Sequence, residues 1–442
     1  MALHAYPTQL ASFVLSRLDE LGVAPLGLRG RDDGAVIEHA ISIAFQASLL
    51  RDEDRPLTFR MALAPLWAFS EDGGPPMGIH RLRFSAARAL TVHELKKLVT
   101  AVKFRRSIVA VAPRPDDAEG SLEIWGILHT GPRWLQVVRG GRATAPELPP
   151  VLLIHVNGPG NLFVSLGRRT LARLYAGELT IPMLDVFESA WLRGMFETTR
   201  AEVEALHRAE LEAAGGRWSR ADIDVVRRIG QGFIRRIISI IRAARHGGSL
   251  LFVPPDKLQQ VCRASLIQVK YKFDDAEPRK RFRALILAML RKLTTRETAD
   301  VEWPAGHDGV VGWAEYASTR SVEIAELDEA IMELAELVAA LADVDGLVVM
   351  THRLEIVGFG GVVSGALPEA PRVRQALDLE GTNCIEESVD GMGTRHRAAY
   401  RIAAAVPEAL AVVVSQDGSV RFVRWQDDAV TIWEQVAAAL DA

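Results

Sequence analysis

Cysteine is almost absent from this chain: Cys262 and Cys384 are the only two in 442 residues. Two thiols exclude a disulfide framework and a cysteine-rich zinc module. Both read as buried apolar residues or free thiols in a reducing compartment. Net charge is nearly absent too, at −4, which argues against a protein built mainly to coat nucleic acid or anionic lipid. No apolar run reaches the roughly 20 residues needed to span a bilayer. The opening Met1-Ala2-Leu3-His4-Ala5-Tyr6-Pro7 has no basic segment followed by a long apolar one. These absences predict a soluble, cytoplasmic protein with no membrane partner. What remains is a globular balance, 49% hydrophobic and 24% charged, over a length that suits two or three domains.

Periodicity divides the chain. Helices are expected over 8–22, 36–50 and Thr91–Val102, and strands over Leu57–Trp67, His80–Ala89, Ser107–Ala112 and Leu122–Leu128. Loops fall at Gly73–Gly78, Asp116–Gly120 and Gly140–Pro150. Val151–Val156, the turn Asn157-Gly158-Pro159-Gly160 and Leu162–Ser165 form a hairpin-like unit. Helical signals dominate from Met183 to Ala214, and Gly215-Gly216 breaks them. The expected organisation is an N-terminal α/β domain (1–180), a helical linker (181–220) and a second domain (221–442). Both halves run helix, strand, helix, strand and then Leu-Glu-Ile-x-Gly, at Leu122–Gly126 and Leu354–Gly358. Such alternation is common in α/β proteins, so this repeat is compatible with a degenerate duplication and with chance.

The densest chemistry lies in Gly393-Thr394-Arg395-His396-Arg397, before the apolar-periodic Ala398–Val406. Glycine lets backbone approach a ligand closely. Thr394 is placed to cap the helix, whose first N–H groups face an anion. Arg395 and Arg397 carry planar, permanently charged forks suited to phosphate oxygens. The spacing is compatible with a polyphosphate cradle and with a solvated basic turn. Upstream, Asp345-Gly346-Leu347-Val348-Val349-Met350 reads as a turn opening a strand, and Leu354–Gly361 as a second strand ending in glycines.

This pair of motifs resembles the diadenylate cyclase domain, in which Asp-Gly-Ala opens a strand and Gly-Thr-Arg-His-Arg opens a helix. The second motif is complete here. Helix-like Arg236–Arg245 followed by Gly247-Gly248-Ser249-Leu250-Leu251-Phe252-Val253 is similar to that family's first helix and its Gly-Ala-Leu-Ile strand. The resemblance covers roughly 222–435 and implies a mixed sheet flanked by helices, with an insertion near 256–320. It implies condensation of two ATP into cyclic di-AMP, or a nucleotide-binding sensor of the same build. Arg395, His396, Arg397, Thr394 and Gly393 would hold the triphosphate. Gly346, Leu347, Gly360 and Gly361 would lie against the nucleotide. Asp345 would activate the attacking hydroxyl or bind magnesium or manganese, with Asp417 as a second metal ligand. Two nucleotide-loaded domains would have to pair, in a homo-oligomer or within one chain.

The chain departs from the family at Leu347, where alanine is usual, at Val344, where many members have histidine, and at Gln416, which removes an acid. Asp33-Gly34-Ala35 repeats the acidic motif but opens a helix, so it reads as a turn. The basic stretch Lys270 to Lys292, with Tyr271, Phe273 and Phe282 interleaved, reads as a solvated helix over an apolar face rather than a nucleic-acid surface. His307, His352 and Cys384 lack metal-ligand spacing. Trp425 and Trp433 read as core anchors.

Overall fold

The computed structural model describes residues 6–28, 34–71, 73, 78–104, 106–114, 121–130, 148–167, 169–175, 177–180, 184–215, 219–263, 265–274, 277–295, 310–319, 321–370, 372–389 and 391–435. Asp33, Asp116–Gly120, Gly216 and His307 lie outside them, as does most of the loops expected at 73–78 and 140–150. Contacts divide the chain into two compact units, one of Met1–Val138 with Ala143–Pro182, the other dominated by Met183–Leu440. No described helix is long and apolar enough to cross a membrane.

In the first unit, α1 (Pro7–Leu21), α2 (Gly34–Ser48) and α3 (Val92–Val99) bury apolar stripes. Those of α2 recur at Ile37, Ala40, Ile41 and Ala44. Thr91 caps α3, its hydroxyl accepting from Glu94 N at 3.1 Å. The strands are β1 (Phe59–Leu63), β2 (Ile79–Ala89), β3 (Ser107–Pro113), β4 (Leu122–Thr130), β5 (Leu152–Gly158), β6 (Asn161–Leu166), β7 (Arg169–Tyr175) and β8 (Glu178–Thr180). They form one sheet in the order β8-β7-β6-β5-β1-β3-β4-β2. β1 is shorter than Leu57–Trp67. It stops before Pro65, after which Leu66–Ala68 turn as a 3-10 helix and leave Trp67 exposed.

The second unit holds α4 (Ala190–Met195), α5 (Glu197–Ala213), α6 (Ile223–Ala244), α7 (Glu277–Thr294), α8 (Val322–Leu341) and α9 (Thr394–Ala405). Its strands are β9 (Gly248–Val253), β10 (Ile267–Lys272), β11 (Leu347–Thr351), β12 (Ile356–Val363), β13 (Val373–Ala376), β14 (Cys384–Glu386), β15 (Leu410–Val414), β16 (Val420–Gln426) and β17 (Ala429–Gln435). The sheet order is β10-β12-β11-β9-β15-β16-β17-β13-β14. β9 shows why helices cover both faces. Leu250 and Phe252 pack in the core with Ile237, Met289 and Val338, while Leu251 and Val253 pack with Ala399, Tyr400 and Ile402 of α9. The fold is therefore the expected mixed sheet flanked by helices. One expectation changes. Leu192 of α4 and Val203 of α5 belong to the first of these cores, so this stretch is part of the unit rather than a linker. Within the interval expected as an insertion, β10 forms a sheet edge and Phe282, Ile286 and Met289 of α7 enter the core. Trp433 is fully buried and Trp425 packs at a core margin.

Seven strands of each unit share order and sense: β2-β4-β3-β1-β5-β6-β7 matches β10-β12-β11-β9-β15-β16-β17, with the single parallel pair of each run at β1/β3 and at β9/β11. The two Leu-Glu-Ile-x-Gly segments lead into the matching strands β4 and β12. Their glycines, Gly126 and Gly358, meet the neighbouring edge strand alike: a Cβ would lie 2.3 Å from Leu82 O in one and 2.4 Å from Tyr271 O in the other. The ladder irregularity recurs as well, Ala110 pairing Gly126 and Val111 pairing Ile124, as Val349 pairs Gly358 and Met350 pairs Ile356.

His352, at the end of β11, is structural. Burial holds its imidazole at about 4, below the ordinary value near 6.5. Below pH 6.5 the unfolded chain takes up this proton and the folded chain does not. Stability is therefore lost as pH falls from 6.5 towards 4, by about 3 kcal/mol from this group. A His352→Gln variant should lack that part of the slope when urea midpoints are compared between pH 7 and pH 4.5.

Candidate functional site

The helix α9 starts at Thr394, and Gly393 is its N-cap without a side-chain hydrogen bond. Thr394 is thus the first helical residue and not the cap. The first-turn N–H groups are left without a capping side chain. Ala399, Tyr400, Ile402 and Ala403 bury one face of α9 against the sheet. That packing fixes the direction of the first turn. Gly393, Thr394, Arg395, His396 and Arg397 line a cleft of about 920 Å³.

The opposite side of this cleft comes from strands far away in the chain. Asp345, Gly346 and Leu347 enter from the start of β11, and Gly361, Val362 and Val363 from β12. Gly346 has φ +120°, and a Cβ there would lie 2.7 Å from the carbonyl carbon of Gly360 and 2.8 Å from Gly361 O. Backbone contacts backbone at this point, so no side chain fits. Gly346→Ala should destabilise the second unit by about 3 kcal/mol, the upper end for a residue forced into a disfavoured conformation, measured by urea unfolding. Gly360 lies behind the lining rather than in it, against Gly346.

Arg395 donates from Nη1 to His246 O at 3.0 Å, and its Nη2 is 3.6 Å from Asp345 Oδ1. The Asp345 side chain is 98% exposed, so this pair is loose and the carboxylate is open to a ligand. His396 Nε2 is 3.4 Å from Ser415 Oγ. Burial, then Arg421 and Arg395, hold the His396 imidazole below its ordinary range, with Asp417 opposing. It is neutral near pH 7 and offers one N–H and one lone pair. Arg421 bridges Tyr400 and Glu387 behind it. Arg401 lines the cleft further along α9 and is paired with Glu369.

Asp417 does not join the lining; Gln416 does. The Asp417 carboxylate accepts from Ser419 N at 3.0 Å within the turn between β15 and β16. Among the described residues no group of three His, Cys, Asp or Glu could hold a metal ion. Four polar lining residues escaped the sequence reading: Ser249 on β9, Lys270 on β10, Arg401 on α9 and Ser415 after β15. Lys270 had a signal, since Ile267, Val269, Tyr271 and Phe273 alternate with Gln268, Lys270 and Lys272. Ser249 had only its hydroxyl in an otherwise apolar strand.

Ladder register locates the corresponding place in the first unit. Met61 pairs Val109 as Leu250 pairs Val348, which sets Arg60 at the place of Ser249. Counting back from Ala110 and Val349 sets Arg106 at the place of Asp345. Arg60 is 4% exposed and stands over the Phe104 ring at 5.8 Å. A large cation therefore sits where the cleft floor would be, and the acid is replaced.

Residues 30–129 match the family model described as probable sensor domain DACNV. The match lies within the first unit and includes none of the cleft residues. No curated protein matches the chain, and no solved structure does.

Proposed function

We propose that the second unit is a diadenylate cyclase domain governed by a sensor-like first unit. The observation that carries this reading is convergence: Asp345-Gly346 and Gly393–Arg397, distant in sequence, line one cleft, with the uncapped N-terminus of α9 and the guanidinium groups of Arg395 and Arg397 on one side. Such a site suits a nucleoside triphosphate. In the reaction the 3′-oxygen of one ATP attacks the α-phosphorus of another, the bond to the β-phosphate oxygen breaks and pyrophosphate leaves. Repeating the step in the reverse sense closes the ring. Arg395 and Arg397 neutralise phosphate charge, and neutral His396 donates one hydrogen bond. Asp345 receives the hydroxyl proton.

The donor set bears on a metal. Asp345 is the one carboxylate among the described lining residues, so magnesium or manganese would be held by it together with the substrate's own phosphates, a usual arrangement for magnesium. A bound ion would supply further neutralisation of phosphate charge. Because each domain presents one nucleotide, two copies must pair face to face.

A second reading is a nucleotide-binding sensor without turnover. Leu347 in the lining and the position of Asp417 outside it favour this reading. Incubation of the purified chain with ATP and manganese, with products separated by chromatography, decides between them. Cyclic di-AMP and pyrophosphate are expected together, two pyrophosphates for each ring. Bound ATP with no product across metals and protein concentrations would leave the sensor.

A further inference from the structure

Lys270 faces the cleft from the side opposite α9. It sits on the edge strand β10, which pairs with β12 at Val269↔Gly361 and Tyr271↔Phe359, so Lys270 stands opposite Gly360. Gly360 makes the room. A Cβ there would lie 3.4 Å from Lys270 Cβ and 3.6 Å from Lys270 Cδ, so the lysine stem runs along bare backbone. Tyr271 stacks on Phe359 with ring centroids 4.7 Å apart and fixes this part of β10. Between Lys270 and α9 lie Leu347, Gly361 and Val363, an apolar and glycine floor without charge.

The charges on the two walls are unequal in their commitments. Arg395 is engaged with His246 and Asp345, and Arg401 with Glu369. Among the described residues neither Lys270 nor Arg397 makes an ion pair within 4 Å. Two cations thus face one trough from opposite walls: Lys270, and Arg397, which feels the charge of Glu369 without an ion pair to it. Asp345 is the one carboxylate of the described lining, and it is loosely paired with Arg395. Like charges so arranged are brought together at less cost when an anion lies between them.

We propose that Lys270 is a further ligand-binding residue of this cleft, holding phosphate charge opposite Arg397 and clamping the triphosphate across the trough. This inference rests on the reading of the cleft as a nucleotide site. It adds a contact from β10, in a region of the chain to which the motif resemblance assigns no role.

The test measures binding of ATP and of adenosine to the full chain by calorimetry, comparing wild type, Lys270→Met, Lys270→Arg and the Arg395→Ala/Arg397→Ala double variant. Lys270→Met should weaken ATP about tenfold, the effect of losing one charged hydrogen bond of about 1.5 kcal/mol. Adenosine should be unchanged, and Lys270→Arg should retain most of the ATP affinity. The salt dependence of ATP binding should be shallower in Lys270→Met. Wild-type ATP affinity in Lys270→Met, with loss in the double variant, overturns the clamp and leaves the nucleotide site standing. Equal weakening of ATP and adenosine also overturns it, because the lysine would then act through structure. Unchanged ATP binding in all variants overturns both the clamp and the nucleotide site.

Discussion

Replacing Arg395 and Arg397 together by alanine should raise the dissociation constant for ATP at least about 100-fold. Each hydrogen bond from a guanidinium to phosphate contributes about 1.5–3 kcal/mol, so two give about 3–6 kcal/mol, or roughly 10² to 10⁴ in affinity. The lower bound applies because Arg395 must first leave His246 O and Asp345. Folding should survive. The residues that seat α9 are Ala399, Tyr400, Ile402 and Ala403, none of which is touched. Circular dichroism of the variant checks that, and calorimetry reads the affinity. Unchanged affinity would remove the phosphate-cradle assignment.

Asp345→Asn should separate binding from chemistry. The side chain is 98% exposed and makes one loose ion pair, so the swap should leave stability and, within about tenfold, ATP affinity in place. Removing a group that takes a proton in the transition state costs roughly 10² to 10⁴ in rate. Cyclic di-AMP formation should fall by that factor with KM little changed. Asp33→Asn, in the repeated Asp-Gly-Ala, should leave the rate alone. A rate lost in Asp33→Asn and kept in Asp345→Asn would reverse the assignment of the acidic motif.

Local patterns were legible where one rule governed them. Thr91 and its apolar periodicity announced α3, and the strands Ser107–Ala112 and Leu122–Leu128 were found to within two residues. The turn at 157–160 announced the β5–β6 hairpin. The cleft was legible on its α9 side and at Asp345-Gly346-Leu347, because those residues carry charge or glycine. What stayed hidden was contributed by neighbours in space. Lys270 was read as part of a solvated helix, although its segment alternates, because the arginines that follow it in α7 dominated the pattern. Ser249 and Ser415 gained meaning only when β9 and β15 became adjacent. The Leu-Glu-Ile-x-Gly repeat was ambiguous as letters. As paired glycines meeting matching edge strands, it marks corresponding places in two sheets.

The position of β10 has a colloidal consequence. It ends its sheet, with Gln268, Lys270, Tyr271 and Lys272 exposed along it, and an outermost strand presents unpaired backbone to any other extended chain. Lysines on such a strand repel that approach. Neutralising Lys270 and Lys272 together should therefore let chains associate strand to strand, seen as concentration-dependent light scattering that added ATP does not reverse. The ammonium group of Lys270, proposed above to hold phosphate, would together with that of Lys272 keep other copies of the protein from adding to this border.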